Sequence, residues 1–190
     1  MCGRYFIDGD DLPEELERIL EELNRKNTPE NLKTSGEIFP SDVVPVLANS
    51  RRQDVQPFAM RWGYSFPGGR PVINARAETA PDKPMFRQCL EQRRCVIPST
   101  GFYEWAADKT KYRFRLPGED ALYMAGLYNE FAGEPRYVIL TTAANESIAD
   151  VHNRMPVVLP RARIAEWIGG LGAAMEILRA VPPMLERTAS

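Results

Sequence analysis

Cys2 is the first residue whose position suggests chemistry, because it directly follows the initiator methionine. Initiator methionine is usually removed when the second residue is small, which would leave Cys2 as the N-terminal residue. An unperturbed thiol titrates at about 8.5 and an α-amine at about 7.7–8.0, so both groups would be partly reactive near neutral pH. Such a 1,2-aminothiol condenses with an aldehyde: the amine forms an imine, and the thiol closes a five-membered thiazolidine ring. Taken alone, a cysteine at position 2 is more often an incidental small residue than a nucleophile.

Four polar residues elsewhere in the chain could assist such chemistry. Glu104 is bracketed by aromatic residues in the segment 101–105; if it is buried, it could act as an acid or base near neutral pH, and otherwise it is an exposed strand residue. His152, the single histidine, precedes a proline-containing turn and is either a catalyst or a structural residue; alone, it cannot form a multi-histidine metal site. Asn74 and Arg76 follow an apolar pair, where an amide could orient a reacting group and a guanidinium could bind phosphate.

The elements that must position these groups are short strands interrupted by Pro and Gly. A preceding amphipathic helix is predicted to open at Asp10-Asp11-Leu12-Pro13 and to end near Asn27-Thr28-Pro29. Strands are predicted at Val43–Leu47, Gln56–Trp62, Cys95–Pro98, Tyr112–Leu116, Leu122–Tyr128 and Tyr137–Thr142. Further helices are predicted at Met85–Glu91, Glu146–Val151 and Arg161–Ile168. Within Tyr112–Leu116 the alternation predicts one buried face and one arginine face.

Length and composition indicate one globular domain. A chain of 190 residues can bury its own core, and 44% hydrophobic with 26% charged residues excludes a disordered protein. Sixteen prolines between short strands favour an α+β fold over a regular βαβ series. We therefore expect a single domain over residues 1–190, with a polar, frayed tail from about residue 183.

The same composition restricts location and partners. No run approaches the roughly 18 apolar residues of a membrane span, no secretion signal is present, and three cysteines are too few for a disulfide framework or a zinc cage. A cytoplasmic location is expected. The net charge of −2 divides into −5 over residues 1–39, +6 over 40–115 and −3 over 116–190. The basic middle either presents a cationic face to a polyanion or is solvated surface charge.

Five short motifs occur in order along the chain. They are Met1-Cys2-Gly3-Arg4, Arg61-Trp62-Gly63-Tyr64, Asn74-Ala75-Arg76-Ala77-Glu78-Thr79, Gly101-Phe102-Tyr103-Glu104-Trp105 and His152-Asn153-Arg154-Met155-Pro156. Together they closely resemble the SRAP family, the SOS response-associated peptidases, over roughly residues 2–168. The family fold is a β-rich pseudo-barrel of mostly antiparallel short strands with flanking helices, which agrees with the pattern above.

The resemblance implies roles for individual residues. Cys2 matches the residue that links covalently to DNA, and Asn74, Glu104 and His152 match the other active-site positions. The implied DNA-binding residues are Arg4, Trp62, Arg76 and Arg154. An exposed Trp62 is expected to stack on a base.

The resemblance also implies an activity. Family members recognise abasic sites in single-stranded DNA and form a stable thiazolidine crosslink that shields the lesion. Neither a metal nor an organic cofactor is implied. Weak abasic-site lyase activity and self-removal of Met1 are compatible with the same groups, and a monomer associated with the nucleoid is expected when DNA is bound.

Two departures from the family pattern stand out. Glu37-Ile38-Phe39-Pro40 replaces the Asn-Val-Ala-Pro of many members, which questions the role of that asparagine here. The sequence also stops soon after Pro182-Pro183, so a C-terminal element that completes the groove in relatives is expected to be missing.

Two other functions remain open from the residues. An N-terminal-nucleophile hydrolase of the glutamine amidotransferase type would use the Cys2 thiol against an amide, with Asn74 as an oxyanion donor. It leaves the motifs around Glu104 and His152 unused. A non-catalytic single-stranded-DNA-binding module would use the basic middle and the aromatic residues but leave Cys2 idle.

Overall fold

The computed structural model describes residues 2–9, 12–25, 29–66 and 68–190, and within them thirteen strands and four α-helices form an α+β fold. The strands are β1 (Tyr5–Ile7), β2 (Gly36–Ile38), β3 (Val43–Asn49), β4 (Val55–Trp62), β5 (Asn74–Arg76), β6 (Arg94–Ser99), β7 (Gly101–Trp105), β8 (Lys111–Arg115), β9 (Leu122–Phe131), β10 (Glu134–Ala143), β11 (Arg154–Pro156), β12 (Val158–Leu159) and β13 (Glu186–Ala189). The helices are α1 (Glu14–Asn24), α2 (Pro84–Gln92), α3 (Ile164–Gly169) and α4 (Leu171–Arg179). The prediction of an α+β fold with mostly antiparallel strands is confirmed.

The larger sheet is ring-like in part and is not a barrel. Antiparallel pairs join β4 to β3, β3 to β6, β6 to β9 and β9 to β10, and a short parallel pair joins β10 back to β4. Strands β5, β11 and β12 attach to the sides of this ring. In consequence, β10 lies between β5, which carries Asn74 and Arg76, and β11, which begins at Arg154.

The smaller sheet has the order β13-β8-β7-β1-β2 and carries the N-terminus of the described chain. Phe102 and Phe114 stack on its inner face, while Arg113 and Arg115 lie on the outer face beside Asp8. The predicted arginine face is therefore present. Gly101 begins β7 where a Cβ atom would come within 2.3 Å of the Phe114 carbonyl oxygen, so only glycine fits there.

Helices α1, α2 and α3 pack against strands of the ring, and α4 packs against α3. Helix α1 buries Leu16, Ile19 and Leu23, the apolar stripe predicted from the sequence. The predicted opening at Asp10-Asp11 and ending at Asn27-Thr28 lie outside the described residues. Buried Arg94 donates from its guanidinium to main-chain carbonyl oxygens at the ends of α2 and α3, which satisfies acceptors that a helix C-terminus leaves open.

Three local predictions are corrected by the structure. The segment Glu146–Val151 forms hydrogen-bonded turns and not a helix; the Asn145 side chain accepts from the amide of Ser147. The predicted helix Arg161–Ile168 begins as a 3₁₀ turn at Arg161–Arg163 and becomes α-helical only from Ile164. The tail is not frayed throughout, because Glu186–Ala189 pairs with β8 as an antiparallel edge strand.

Helix α4, which was not predicted, lies in a glycine-rich segment, and glycine has low helix propensity. In the part of the chain that the structure describes, no helix has the length and apolar character needed to cross a membrane.

Candidate functional site

Cys2 lies immediately before β1 and is fully buried in the core. Its Sγ is 3.8 Å from the carbonyl oxygen of Arg4, the length of a weak thiol hydrogen bond. Burial raises the pKa of the Cys2 thiol far above its usual value, and the neighbouring Glu104 carboxylate raises it further. The thiol is therefore neutral at physiological pH in this environment.

Asn74 connects the larger sheet to the Cys2 main chain. It opens β5, and its Nδ2 donates a 3.0 Å hydrogen bond to the carbonyl oxygen of Cys2. Its Oδ1 is buried and has no hydrogen-bond partner among the described residues. The Asn74 amide therefore fixes the Cys2 backbone through Nδ2, and its buried Oδ1 can still accept a hydrogen bond beside Cys2.

Trp62 has a different role from the one predicted, because it is completely buried and cannot stack on a DNA base. Its indole stacks on Tyr137 at an interplanar angle of 8° and also packs against Tyr5. The indole Nε1 donates a 3.0 Å hydrogen bond to the carbonyl oxygen of Ile73. Trp62 thus anchors the residue that precedes Asn74, and burial of a large ring with a satisfied N–H explains why it lies inside.

Glu104 lies in β7 on the strand face opposite Tyr103. Strand β7 runs beside β1, and the amide of Tyr103 donates a 2.9 Å hydrogen bond to the Arg4 carbonyl oxygen, the same oxygen that the Cys2 thiol contacts. Only 4% of the Glu104 residue surface is exposed. The Glu104 carboxylate is, after burial, the second cause that raises the pKa of the Cys2 thiol. The sequence-based alternative of an exposed strand glutamate is wrong.

His152 lies in the turn before β11, as the sequence predicted. The main-chain amide of Arg154 donates a 3.0 Å hydrogen bond to His152 Nδ1. Because Nδ1 accepts this bond, the neutral ring carries its proton on Nε2. His152 is joined to the Asn74 segment through β10, since Thr141 pairs with Arg76 and accepts from the Arg154 guanidinium at 2.6 Å.

The arginines expected to bind DNA differ in their surroundings. Arg76 is exposed at the end of β5. Arg154 is held by a bidentate ion pair with Glu78, at 2.6 and 2.9 Å, in addition to its Thr141 contact. Arg4 pairs with Glu37, with Nη1 3.2 Å from Oε2. Two of the three guanidinium groups therefore already contact a carboxylate of the same chain.

Sequence reasoning missed a group of side chains next to Arg4, which we call the cation–aromatic cluster. It consists of Arg4, Glu37, Phe39, Trp105 and Lys111. The only sequence signal for it was the replacement of the family's Asn-Val-Ala-Pro by residues 37–40. Lys111 carried no such signal, because its role depends on strand pairing.

The arrangement brings the buried Cys2 thiol, the buried Glu104 carboxylate and the Asn74 amide together near the N-terminus. The His152 imidazole is linked to them through the strand pairing of β10. These are groups for proton transfer and nucleophilic attack. Among the residues that the structure describes, no three His, Cys, Asp or Glu side chains are grouped so as to hold a metal ion.

Comparisons with known proteins identify the family of this chain. The family model described as SOS response associated peptidase (SRAP) matches residues 1–187. The abasic site processing protein YoqW of Bacillus subtilis (strain 168) is 36% identical over 185 residues, which cover 88% of this chain and 80% of the relative. The abasic site processing protein YoaM of the same organism is 32% identical over 198 residues, covering 95% and 85% of the two chains.

Solved structures show the same fold. The crystal structure of a phage-related protein of Bordetella bronchiseptica matches with a TM-score of 0.77 at 27% identity, covering 100% of this chain and 94% of the other. A protein of Bacteroides thetaiotaomicron matches with a TM-score of 0.74 at 22% identity. Since the family model spans residues 1–187 and both Bacillus relatives match over most of their length, the chain belongs to the SOS response associated peptidase (SRAP) family.

Proposed function

We propose that this protein processes abasic sites in single-stranded DNA by forming a thiazolidine crosslink through Cys2. The observation that carries the proposal is the hydrogen bond from Asn74 to the Cys2 carbonyl oxygen, which holds the N-terminal segment beside buried Glu104. The names of the Bacillus relatives, abasic site processing proteins, support the same substrate.

The first bond forms between nitrogen and carbon. Removal of Met1 frees the α-amine of Cys2, which attacks C1′ of the ring-opened abasic deoxyribose. The aldehyde oxygen leaves as water, and an imine links the protein to the DNA. The amine must act first, because burial and Glu104 keep the Cys2 thiol protonated.

The second bond forms between sulfur and the same carbon. The thiol adds across the C=N bond, sulfur bonds to C1′, and the thiol hydrogen ends on nitrogen. Atoms balance without any oxidant or reductant, and the product is a five-membered thiazolidine. Both nucleophiles belong to one residue, so ring closure is intramolecular and strongly favoured over attack by a separate thiol.

Glu104 and His152 supply the proton transfers. Glu104 takes a proton from the attacking amine and returns it to the departing oxygen. His152 donates from Nε2 to the sugar oxygen as the ring opens, since its Nδ1 is held by the Arg154 amide. The Asn74 Oδ1 accepts from the Cys2 amine and fixes its direction of attack.

DNA binding rests on the arginines and on the exposed part of the site. Backbone phosphates are bound by three arginines, Arg76, Arg4 and Arg154. Arg4 and Arg154 each give up the carboxylate that they contact in this structure and bind a phosphate in its place. The imine also permits β-elimination, which accounts for weak lyase activity. Hydrolysis of the Met1–Cys2 bond by the same groups would be the peptidase activity.

The proposal is tested with processed protein and an oligonucleotide that carries one abasic site. After incubation the sample is boiled in detergent and separated by denaturing electrophoresis. We expect a shifted band that survives boiling, with an intact mass equal to protein plus DNA minus one water. An oligonucleotide with a tetrahydrofuran analogue, which has no aldehyde, is the matched control and should give no shift. Absence of the band with the aldehyde substrate would refute the proposal.

The same preparation separates the two other functions. A glutamine amidotransferase-type hydrolase would release ammonia from glutamine and form no DNA adduct. A binding-only module would retard DNA in a native gel and lose it on boiling.

A further inference from the structure

The cation–aromatic cluster lies on the outer face of the smaller sheet, two residues along the chain from Cys2. Its members come from four sequence regions. Arg4 directly precedes β1, Glu37 lies in β2 and Phe39 directly follows β2. Trp105 ends β7 and Lys111 begins β8. Strand pairing of β1 with β2 and β7, and of β7 with β8, brings them together.

Aromatic rings hold the two cations in place. The Arg4 guanidinium lies 4.2 Å from the Phe39 ring centroid and 5.2 Å from that of Trp105. The Lys111 Nζ lies 5.8 Å from the Trp105 ring centroid. Phe39 is 40% exposed, so the cluster opens to solvent at its edge. Adjacent cations and accessible rings are the combination with which proteins bind single-stranded nucleic acid.

Glu37 joins the two cations through its two carboxylate oxygens. Oε2 is 3.2 Å from Arg4 Nη1, and Oε1 contacts Lys111 Nζ. The hydrogen bond from Lys111 is the main cause that holds the pKa of Glu37 below its usual value, so Glu37 is ionised at neutral pH. Its side chain is about one-third exposed, so solvent and salt weaken both contacts.

A carboxylate that bridges two cations through separate oxygens makes the contacts that a phosphodiester makes through its two non-bridging oxygens. A phosphate in place of Glu37 would therefore meet at least the same two cations.

We propose that Glu37 is an internal counter-anion in a phosphodiester subsite formed by Arg4 and Lys111, and that single-stranded DNA must displace it to bind. The inference rests on the proposed function, because it concerns how the same DNA reaches Cys2. Glu37 lowers the non-covalent affinity of the protein for DNA. Stable binding is thereby restricted to strands with an abasic site, which Cys2 also holds covalently. Lys111 becomes a DNA contact.

The test measures non-covalent affinity, separately from the chemistry. The probe is a single-stranded oligodeoxythymidylate without an abasic site, titrated by fluorescence anisotropy at several salt concentrations. Glu37→Gln removes the charge and keeps the shape of the side chain. We expect it to tighten binding by about 3- to 10-fold at low salt and to steepen the dependence of log K on log salt by up to about 0.7, the value for one additional phosphate on a single strand.

Glu21→Gln is the matched control, since it makes the same substitution in an exposed ion pair with Arg25 on α1. It should leave the affinity within 2-fold of wild type. An equal gain in affinity in both variants would show that the effect comes from the net charge of the protein, and it would overturn the proposed subsite.

Lys111→Gln provides the second arm, because it breaks the same ion pair but removes a cation. The subsite requires weaker binding in this variant, and a smaller gain when Glu37→Gln is added to it than when Glu37→Gln is made alone, because Glu37 still occupies Arg4. A structural role of the ion pair would shift both single variants in the same direction and would overturn the proposal. If Glu37→Gln fails to fold, unweakened DNA binding by Lys111→Gln still overturns it.

The outcome is distinguishable from failure of the proposed function. If wild type forms the adduct and Glu37→Gln binds no more tightly, the subsite is wrong and the Cys2 chemistry stands. If Glu37→Gln binds more tightly but no variant forms the adduct, the subsite stands as a nucleic-acid contact and the Cys2 chemistry is wrong.

Discussion

The side-chain amide of Asn74 donates a 3.0 Å hydrogen bond to the main-chain carbonyl oxygen of Cys2, linking residues that are 72 positions apart. The bond joins the two sheets at the N-terminus, because Asn74 belongs to β5 and Cys2 precedes β1. Trp62 stabilises the position of Asn74, because its indole Nε1 donates a hydrogen bond to the carbonyl oxygen of the preceding residue, Ile73. The position of the reacting residue is therefore set by the tertiary structure and not by its own short strand.

Asn74→Asp should slow crosslinking without preventing folding. The change replaces the Nδ2 donor by a carboxylate oxygen that faces the Cys2 carbonyl oxygen, so the N-terminus loses its fixed direction. A displacement of this kind costs about 10²-fold in rate. Rates are measured as adduct formed per minute on denaturing gels under single-turnover conditions. Asn49→Asp, the same change at the end of β3, should react like wild type. A wild-type rate for Asn74→Asp would show that the hydrogen bond is only structural.

Glu104→Gln should separate chemistry from binding. The amide keeps the size of the side chain and its hydrogen-bonding capacity but cannot carry the proton, so adduct formation should fall by about 10²-fold or more. Affinity for intact single-stranded DNA should not weaken, because a negative charge has been removed. The control is Glu91→Gln on the exposed face of α2. If Glu104→Gln crosslinks as fast as Glu91→Gln, Glu104 is not the proton carrier.

Variants at the N-terminus should give a graded result. Processed wild type is expected to form an adduct that survives boiling. Cys2→Ser and Cys2→Ala keep the amine but lose the thiol, so they should form only an imine, which is trapped by borohydride and otherwise lost on boiling. Protein that retains Met1 has an amide nitrogen at Cys2 and should form neither product, as intact mass will verify. A full-strength adduct from protein that retains Met1 would exclude the Cys2 amine as the nucleophile.

The stability of the fold should decrease as the pH rises above about 8.5. Burial raises the pKa of Cys2, Cys89 and Cys95 in the folded protein, whereas a thiol in an unfolded chain titrates at about 8.5. Above that pH the unfolded state releases protons that the folded state retains, so the free energy of unfolding falls. The limit is about 1.4 kcal/mol per pH unit for each thiol that is ionised only in the unfolded state.

Urea unfolding at pH 7.5, 8.5 and 9.5 under reducing conditions checks this sign. Buried tyrosines act in the same direction but more weakly in this window, because a tyrosine in an unfolded chain titrates at about 10. Cys89→Ala should show a shallower decrease than wild type. A free energy of unfolding that stays constant or rises over the window would contradict the burial of the thiols.

The sequence alone determined the local features and the chemistry that they permit. Short runs of strand-forming residues bounded by Pro and Gly located β3, β4, β6, β8, β9 and β10 to within a few residues. In β8 the alternation of apolar and arginine residues also predicted which face is buried. The apolar stripe of α1 was predicted from its helical spacing, and the aromatic residues on both sides of Glu104 are visible in the sequence itself. The ordered motifs also indicated the family, since they fix which residue types occur along the chain.

Tertiary structure alone decided which of these side chains meet, and which face solvent. Trp62 was expected outside and is buried, because Ile73, Tyr5 and Tyr137 offer its ring a hydrogen-bond acceptor and packing partners that come from three other segments. The tail forms β13 because β8 presents an unpaired edge. Glu37 bridges Arg4 and Lys111, which are 33 and 74 positions away along the chain. Such contacts depend on strand order and register, which local periodicity does not encode, because one pattern of alternation is compatible with many pairings.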